Sequence, residues 1–98
     1  MQGAETVETQ LITAEVKFKG KVQGVNFRRN ASVVANSKGV SGWIRNAEDG
    51  SVEACFSGPE PTVMAVINEC TDLPGATVTG REMRLLPHVD YVGFSIRY

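Results

Sequence analysis

The chain changes from a strand-like to a helix-like pattern at Gly20-Lys21-Val22-Gln23-Gly24-Val25-Asn26-Phe27-Arg28. Two glycines let this loop bend tightly and turn its N–H groups inward, and both a helix N-terminus and the Arg28 guanidinium favour negative charge. We therefore predict an anion-binding cradle whose ligand is a phosphoryl group. The loop has neither the Gly-x-x-x-x-Gly-Lys-Ser/Thr pattern nor the Gly-x-Gly-x-x-Gly pattern, so neither ATP nor NAD is indicated.

The loop also fits a plainer interpretation. A pair of glycines often only shapes a turn, and an arginine in the first turn of a helix is usually a solvated surface charge. The loop chemistry alone leaves both interpretations open.

Patterns on either side of the loop predict the elements that it joins. Thr13 to Lys19 alternates between apolar and polar residues, as in a strand with one buried face. After the loop, apolar residues recur at helical spacing as far as Lys38-Gly39, a common helix ending, and Val40 to Asn46 is strand-like. The apolar stripe of this helix consists of Phe27, Ala31, Val34 and Ala35.

The second half of the chain predicts a hairpin, a helix and two further strands. Residues 47–50 end in Asp-Gly, which favours a tight turn into a return strand, and Pro59-Glu60 suits the start of a helix. Leu73-Pro74-Gly75 ends this helix, Ala76 to about Leu85 predicts a strand, and a short final strand follows. The alternating apolar residues are Val52, Ala54 and Phe56 in the return strand and Val92, Phe94 and Ile96 in the final strand, and the helical stripe is Val63, Val66, Ile67 and Cys70.

The element order β-α-β-β-α-β, with a small extra strand, predicts an α+β fold. It is the ferredoxin-like sandwich built on a split βαβ arrangement, in which the third strand fills the slot between the first and the second. We expect a four- to five-stranded, mainly antiparallel sheet with both helices on one face and the other face partly open. Residues 12–98 would form one domain behind a flexible N-terminal tail at residues 1–11.

Composition excludes several classes of partner. Ten basic and eleven acidic side chains give a formal net charge of −1, so no overall field draws the chain to nucleic acid or to an anionic membrane. No segment approaches the roughly 20 apolar residues of a membrane span, and the first residues lack the apolar core of a signal peptide. We expect a soluble, cytoplasmic monomer with no nucleic-acid or membrane partner.

The remaining reactive side chains give weak signals. Cys55 and Cys70 form no CxxC pair and have no histidines at ligand spacing, so we expect structural free thiols and neither a metal nor a cofactor. His88 is the only histidine and lacks a paired serine or cysteine motif, so we expect it on the surface. Lys21 and Arg45 either add positive potential near the loop or are solvated charges, which is the commoner case.

Two stretches farther along complete a pattern that begins at the loop: Gly42-Trp43-Ile44-Arg45-Asn46 and Gly50-Ser51-Val52-Glu53. In this order, with one helix-length segment between the two signatures, they closely resemble the acylphosphatase family. The resemblance extends in pattern from about Ile12 to Tyr98. Asn26 and Ala47 differ from the residues more common at their positions in that family, which bears on rate and substrate preference more than on reaction class.

The resemblance implies both a reaction and a site. Arg28 would be the phosphate-binding arginine, Asn46 would position the attacking water, and Gly20 to Phe27 would form the phosphate-binding loop. The reaction would be the metal-free hydrolysis of a small-molecule acyl phosphate to a carboxylate and inorganic phosphate, and phosphate would also be a competitive inhibitor. The alternative is a non-catalytic, phosphate-binding or anion-binding regulatory domain of the same fold.

Overall fold

The computed structural model describes residues 10–98, which form two helices and a single sheet of five strands. The elements are β1 (Leu11–Lys21), α1 (Phe27–Ser37), β2 (Ser41–Asn46), β3 (Val52–Pro59), α2 (Glu60–Cys70), β4 (Thr77–Leu86) and β5 (Phe94–Arg97).

The order of strands across the sheet is β4-β1-β3-β2-β5. As predicted, β3 lies between β1 and β2, so the split βαβ arrangement is confirmed. Every neighbouring pair is antiparallel except β2 and β5, which run parallel. In residues 10–98, neither helix is long and apolar enough to cross a membrane.

The core follows from the alternation in β1. Its residues Ile12, Ala14, Val16 and Phe18 are buried on the face that the helices cover, together with the predicted stripes of both helices except Val34, which is half-buried. Phe27 begins α1, and its ring meets the ring of Phe18 edge-on, with 5.2 Å between the centroids. Such aromatic pairs add about 0.5–1.5 kcal/mol to the effect of burial. Core packing therefore fixes the first residue of α1 relative to β1.

The end of α1 agrees with the predicted Lys38-Gly39 stop. The N–H of Gly39 donates to the carbonyl of Asn36 at 3.2 Å, and the N–H of Val40 donates to the carbonyl of Ala35 at 2.9 Å. This pair of bonds satisfies carbonyls that the end of a helix would otherwise leave free.

The strands begin at positions that differ from those the sequence predicts. Leu11, the last residue of the predicted tail, belongs to β1 and pairs with Pro59, whereas residues 1–9 lie outside the described part. The side chain of Leu11 is half exposed, so the strand pairing of β1 extends beyond the apolar alternation that predicts the strand. The alternation predicts Val92 in the final strand, but Val92 is fully exposed before that strand, and β5 begins only at Phe94.

The segment between β4 and β5 explains this exposure, because it must cross from one edge of the sheet to the other. It runs over the face opposite the helices. The N–H of Val89 donates to the Thr13 hydroxyl at 2.7 Å, and the carbonyl of Gly93 accepts from the N–H of Gly42 at 2.9 Å. The second face is therefore covered in part by the chain itself.

Gly20 provides a test of the bend at the end of β1. The register between β1 and β4 shifts at Lys19/Gly20, and Gly20 has φ +119°, where a Cβ atom would lie 2.2 Å from the carbonyl oxygen of Thr77. We expect Gly20→Ala to lower the free energy of unfolding by at least about 2 kcal/mol, measured by urea denaturation, because it combines backbone strain with a steric clash.

Gly80→Ala is the matched control in the neighbouring strand. A Cβ atom there would meet only side-chain carbons of Lys19, at 3.7 and 3.8 Å. Its free energy of unfolding should stay within about 1 kcal/mol of the wild-type value. Equal losses in the two variants would contradict the close approach assigned to Gly20.

Candidate functional site

A pocket of about 340 Å³ lies where the loop between β1 and α1 meets the ends of β2 and β5. Its volume is at the small end of the range for ligand sites. The lining residues are Val22, Gly24, Asn26, Phe27, Arg28, Arg29, Asn46, Ile96 and Tyr98. Arg28 and Asn46, which are 18 positions apart in the sequence, thus share one cavity. The other predicted loop residues, Gly20, Lys21, Gln23 and Val25, do not line it.

The loop backbone beside this pocket offers hydrogen-bond donors. Gly24 and Asn26 have φ values of 74° and 62°, and asparagine is among the few residues that tolerate this conformation. The Asn26 side chain makes no capping hydrogen bond, and the first turn of α1 contains no acidic residue. Within residues 10–98, the N–H groups from Gly24 to Arg29 have no hydrogen-bond acceptor. A helix N-terminus with free donors is suited to an anion.

Arg28 is held from the side of β5. One guanidinium nitrogen donates to the carbonyl of Arg97 at 3.2 Å, and the guanidinium carbon lies 4.8 Å from the centre of the Tyr98 ring. These contacts restrict the long side chain while leaving further N–H donors for a ligand.

Asn46 is the last residue of β2, and the turn that follows it is closed by its own polar groups. The N–H of Ala47 donates to the carbonyl of Ser51 at 2.9 Å. The Asp49 carboxylate accepts from the Ser51 N–H at 3.0 Å and from the Ser51 hydroxyl at 2.6 Å, and it lies 2.9 Å from the Lys17 ammonium. These bonds therefore fix the backbone that directly follows Asn46.

Those partners of Asp49 affect its titration. The Ser51 hydroxyl, the Ser51 N–H and Lys17 hold the pKa of Asp49 far below its ordinary value. Because the pKa is lowered in the folded state, the resulting stabilisation is present above the ordinary carboxyl pKa of about 4 and is lost as the pH falls through the lowered value. These contacts of Asp49 therefore stabilise the turn at neutral pH.

Gln23 connects the loop to this turn. Its side-chain amide donates to the carbonyls of Ala47 and Ser51, each at 2.8 Å. The two parts of the pocket, one carrying Arg28 and the other Asn46, are therefore joined directly. The sequence pattern does not indicate this bridge, because Gln23 lies 24 positions before Ala47 and 28 positions before Ser51.

The weaker candidates lie elsewhere. His88 and Lys21 are exposed and do not line the pocket. Burial raises the pKa of the Cys70 thiol to about 12, and burial also raises the pKa of Cys55, so neither thiol is an activated nucleophile. In residues 10–98, no cluster of three or more His, Cys, Asp or Glu side chains could hold a metal ion.

A larger cavity, of about 530 Å³, lies on the face opposite the helices. Three acidic and three basic side chains line it, including Arg45, and each of the six is in an ion pair with a neighbour. Because its charges balance one another, this face is a poor anion site.

The sequence model of the acylphosphatase family matches residues 14–96 of the chain. The chain belongs to the acylphosphatase family. An acylphosphatase of Thermoplasma volcanium is 42% identical over 88 residues, which cover 89% of this chain and 98% of that one. An acylphosphatase of Geotalea uraniireducens is 49% identical over 73 residues, 74% of this chain and 80% of the relative.

Solved acylphosphatases have the same fold. The crystal structure of acylphosphatase from Bacillus subtilis superposes with a TM-score of 0.85 at 28% identity, covering 91% of this chain and all of the other. The ferredoxin-like acylphosphatase fold predicted from the sequence is confirmed. The chain is thus an enzyme of the acylphosphatase family, and its substrates are small-molecule acyl phosphates.

The Gln23 bridge can be tested by stability. Gln23→Met keeps the length of the side chain but removes both N–H donors, so we expect a loss of about 1–3 kcal/mol in the free energy of unfolding, measured with urea. Asn36→Ala is the control, since it deletes an exposed amide whose one side-chain hydrogen bond, to Ser32, is 3.4 Å long. Wild-type stability in Gln23→Met would show that the bridge does not hold the loop to the turn.

Proposed function

We propose that the pocket hydrolyses small acyl phosphates by direct attack of a water molecule on phosphorus. The water oxygen forms a new bond to phosphorus, the bond from phosphorus to the bridging oxygen breaks, and the acyl group leaves as a carboxylate. Both hydrogens of the water remain with the phosphate product. The observation that carries this proposal is that Arg28 and Asn46 line one cavity beside the free N–H groups of the loop.

Each group has a separate role in this mechanism. Arg28 and the N–H groups of residues 24–29 hold the phosphoryl oxygens and stabilise the charge that develops on them, as in phosphoryl transfer generally. Asn46 orients the attacking water through its side-chain amide. An amide is not a base near neutral pH, so its contribution is positional, and the substrate phosphate accepts the proton.

The leaving group explains why so few groups suffice. A carboxylate is weakly basic, so an acyl phosphate does not need the activation that a phosphate monoester needs.

A matched pair of substrates tests the proposal: the enzyme should hydrolyse benzoyl phosphate and leave phenyl phosphate unchanged, with phosphate release as the measurement. Phosphate binding without turnover of benzoyl phosphate would favour a regulatory domain, and loss of turnover in EDTA with recovery on adding one divalent ion would replace the metal-free mechanism.

Removing the two proposed catalytic side chains should have different effects. We expect Arg28→Ala and Asn46→Ala each to lower kcat by at least about 100-fold, the usual scale for one preorganised contact in a transition state. Arg28→Ala should also raise the inhibition constant of inorganic phosphate, because a charge-assisted contact is lost. Asn46→Ala should leave that constant nearly unchanged.

Arg84→Ala is the control for these variants, since it removes an arginine from the opposite face of the sheet, where it pairs with Glu15. Its kcat and phosphate inhibition should match the wild type. Equal loss of phosphate affinity in the Arg28 and Asn46 variants would contradict the separation of roles.

The pH dependence should be weak. Asn46 and the backbone N–H groups do not titrate, and His88 lies in the segment that crosses the other face. Between about pH 5 and 8 we expect a shallow kcat profile that reports the ionisation of the substrate phosphate, measured with benzoyl phosphate. His88→Gln should follow the same curve. A steep wild-type profile that becomes flat in this variant would make His88 an acid or base of the reaction.

A further inference from the structure

Arg29 lines the same pocket as Arg28 but has no role in the mechanism above. We infer that Arg29 selects acyl phosphates that carry a second anionic group on the acyl chain. This inference rests on the proposed function, because it concerns the part of the substrate that the phosphoryl site does not hold.

The distribution of charge supports it. Of the ten lysines and arginines, five are in ion pairs with carboxylates. Arg81 donates to two side chains at the end of α2, Arg97 lies over the Trp43 ring, and Arg28 is held by β5. Lys21 is exposed and lies outside the pocket. Within residues 10–98, Arg29 has neither a hydrogen-bond partner nor an ion-pair partner, and no Asp or Glu lines its pocket. The pocket therefore carries an excess of two positive side-chain charges, those of Arg28 and Arg29.

The position of Arg29 on the helix adds to this excess. It is the third residue of α1, in a first turn without acidic side chains. A cation at a helix N-terminus is disfavoured by the helix dipole, so this arrangement is unfavourable until anions bind.

Geometry separates the two arginines. Side chains at adjacent helix positions do not face each other, because each residue turns the helix by about 100°. The Arg29 side chain therefore leaves the helix in a different direction from that of Arg28, and we place it against another part of the bound molecule. On the remaining walls, the partly exposed side chain of Ile96 is apolar and suits a short carbon chain between the two anionic ends.

Succinyl phosphate and butyryl phosphate form a matched pair of substrates, since they differ by a carboxylate in place of a methyl group. We expect the wild type to have the higher kcat/KM for succinyl phosphate. Arg29→Gln should lower the succinyl-to-butyryl ratio about 5-fold, as for an exposed ion pair, mostly through KM, and Arg29→Glu should lower it further. Arg81→Gln removes an equal charge outside the pocket and should leave the ratio unchanged.

Binding can be measured without turnover, so the role of Arg29 can be tested even if the proposed reaction fails. By calorimetry, 5-phosphonopentanoate should bind more tightly than pentylphosphonate, and Arg29→Gln should remove the difference. Three results would overturn the inference: no preference in the wild type, an equal change in Arg81→Gln, or equal weakening of both ligands in Arg29→Gln, which would make Arg29 a second phosphoryl ligand.

Discussion

The edge-on contact between Phe18 and Phe27 sets the geometry on which the site depends. One ring belongs to the strand before the loop, the other to the first residue of the helix after it, and both are buried. The loop is thus held at both ends by the core. Arg28 follows Phe27 directly, so core packing places its backbone. A loop that is already ordered loses less conformational freedom when a ligand binds.

This placement has a cost that the rest of α1 offsets. Two arginines stand in a first turn, where the helix dipole disfavours each positive charge by about 0.3–1 kcal/mol. The other end of the helix is well satisfied, and the buried stripe packs on the sheet. The first turn of α1 is therefore less stable than the rest of the helix, and a bound anion would restore this stability. Such local conflicts are common at functional sites.

Burial determined how much could be predicted from the sequence. The alternation in Thr13 to Lys19 and the helical stripes predicted both helices, the sheet and the place of β3, because apolar side chains must reach one core. The segment around Val92 could not be predicted, since it is held to the sheet by single hydrogen bonds, such as that of Val89 to Thr13, and has no repeating pattern. Within the site, the resemblance suggested Arg28 and Asn46. The Gln23 bridge and the contribution of Tyr98 depend on contacts between distant segments, which residue spacing does not reveal.

The two outer strands differ in a way that bears on self-association. β5 has only four residues, so it offers a short ladder to another chain. β4 has ten, but Arg81, Glu82 and Arg84 follow one another closely along it. A second β4 placed alongside would bring like charges together at some registers and would require their hydration to be removed at all of them. The folded sheet therefore resists edge-to-edge polymerisation, although within residues 10–98 no further strand pairs with either of its edges.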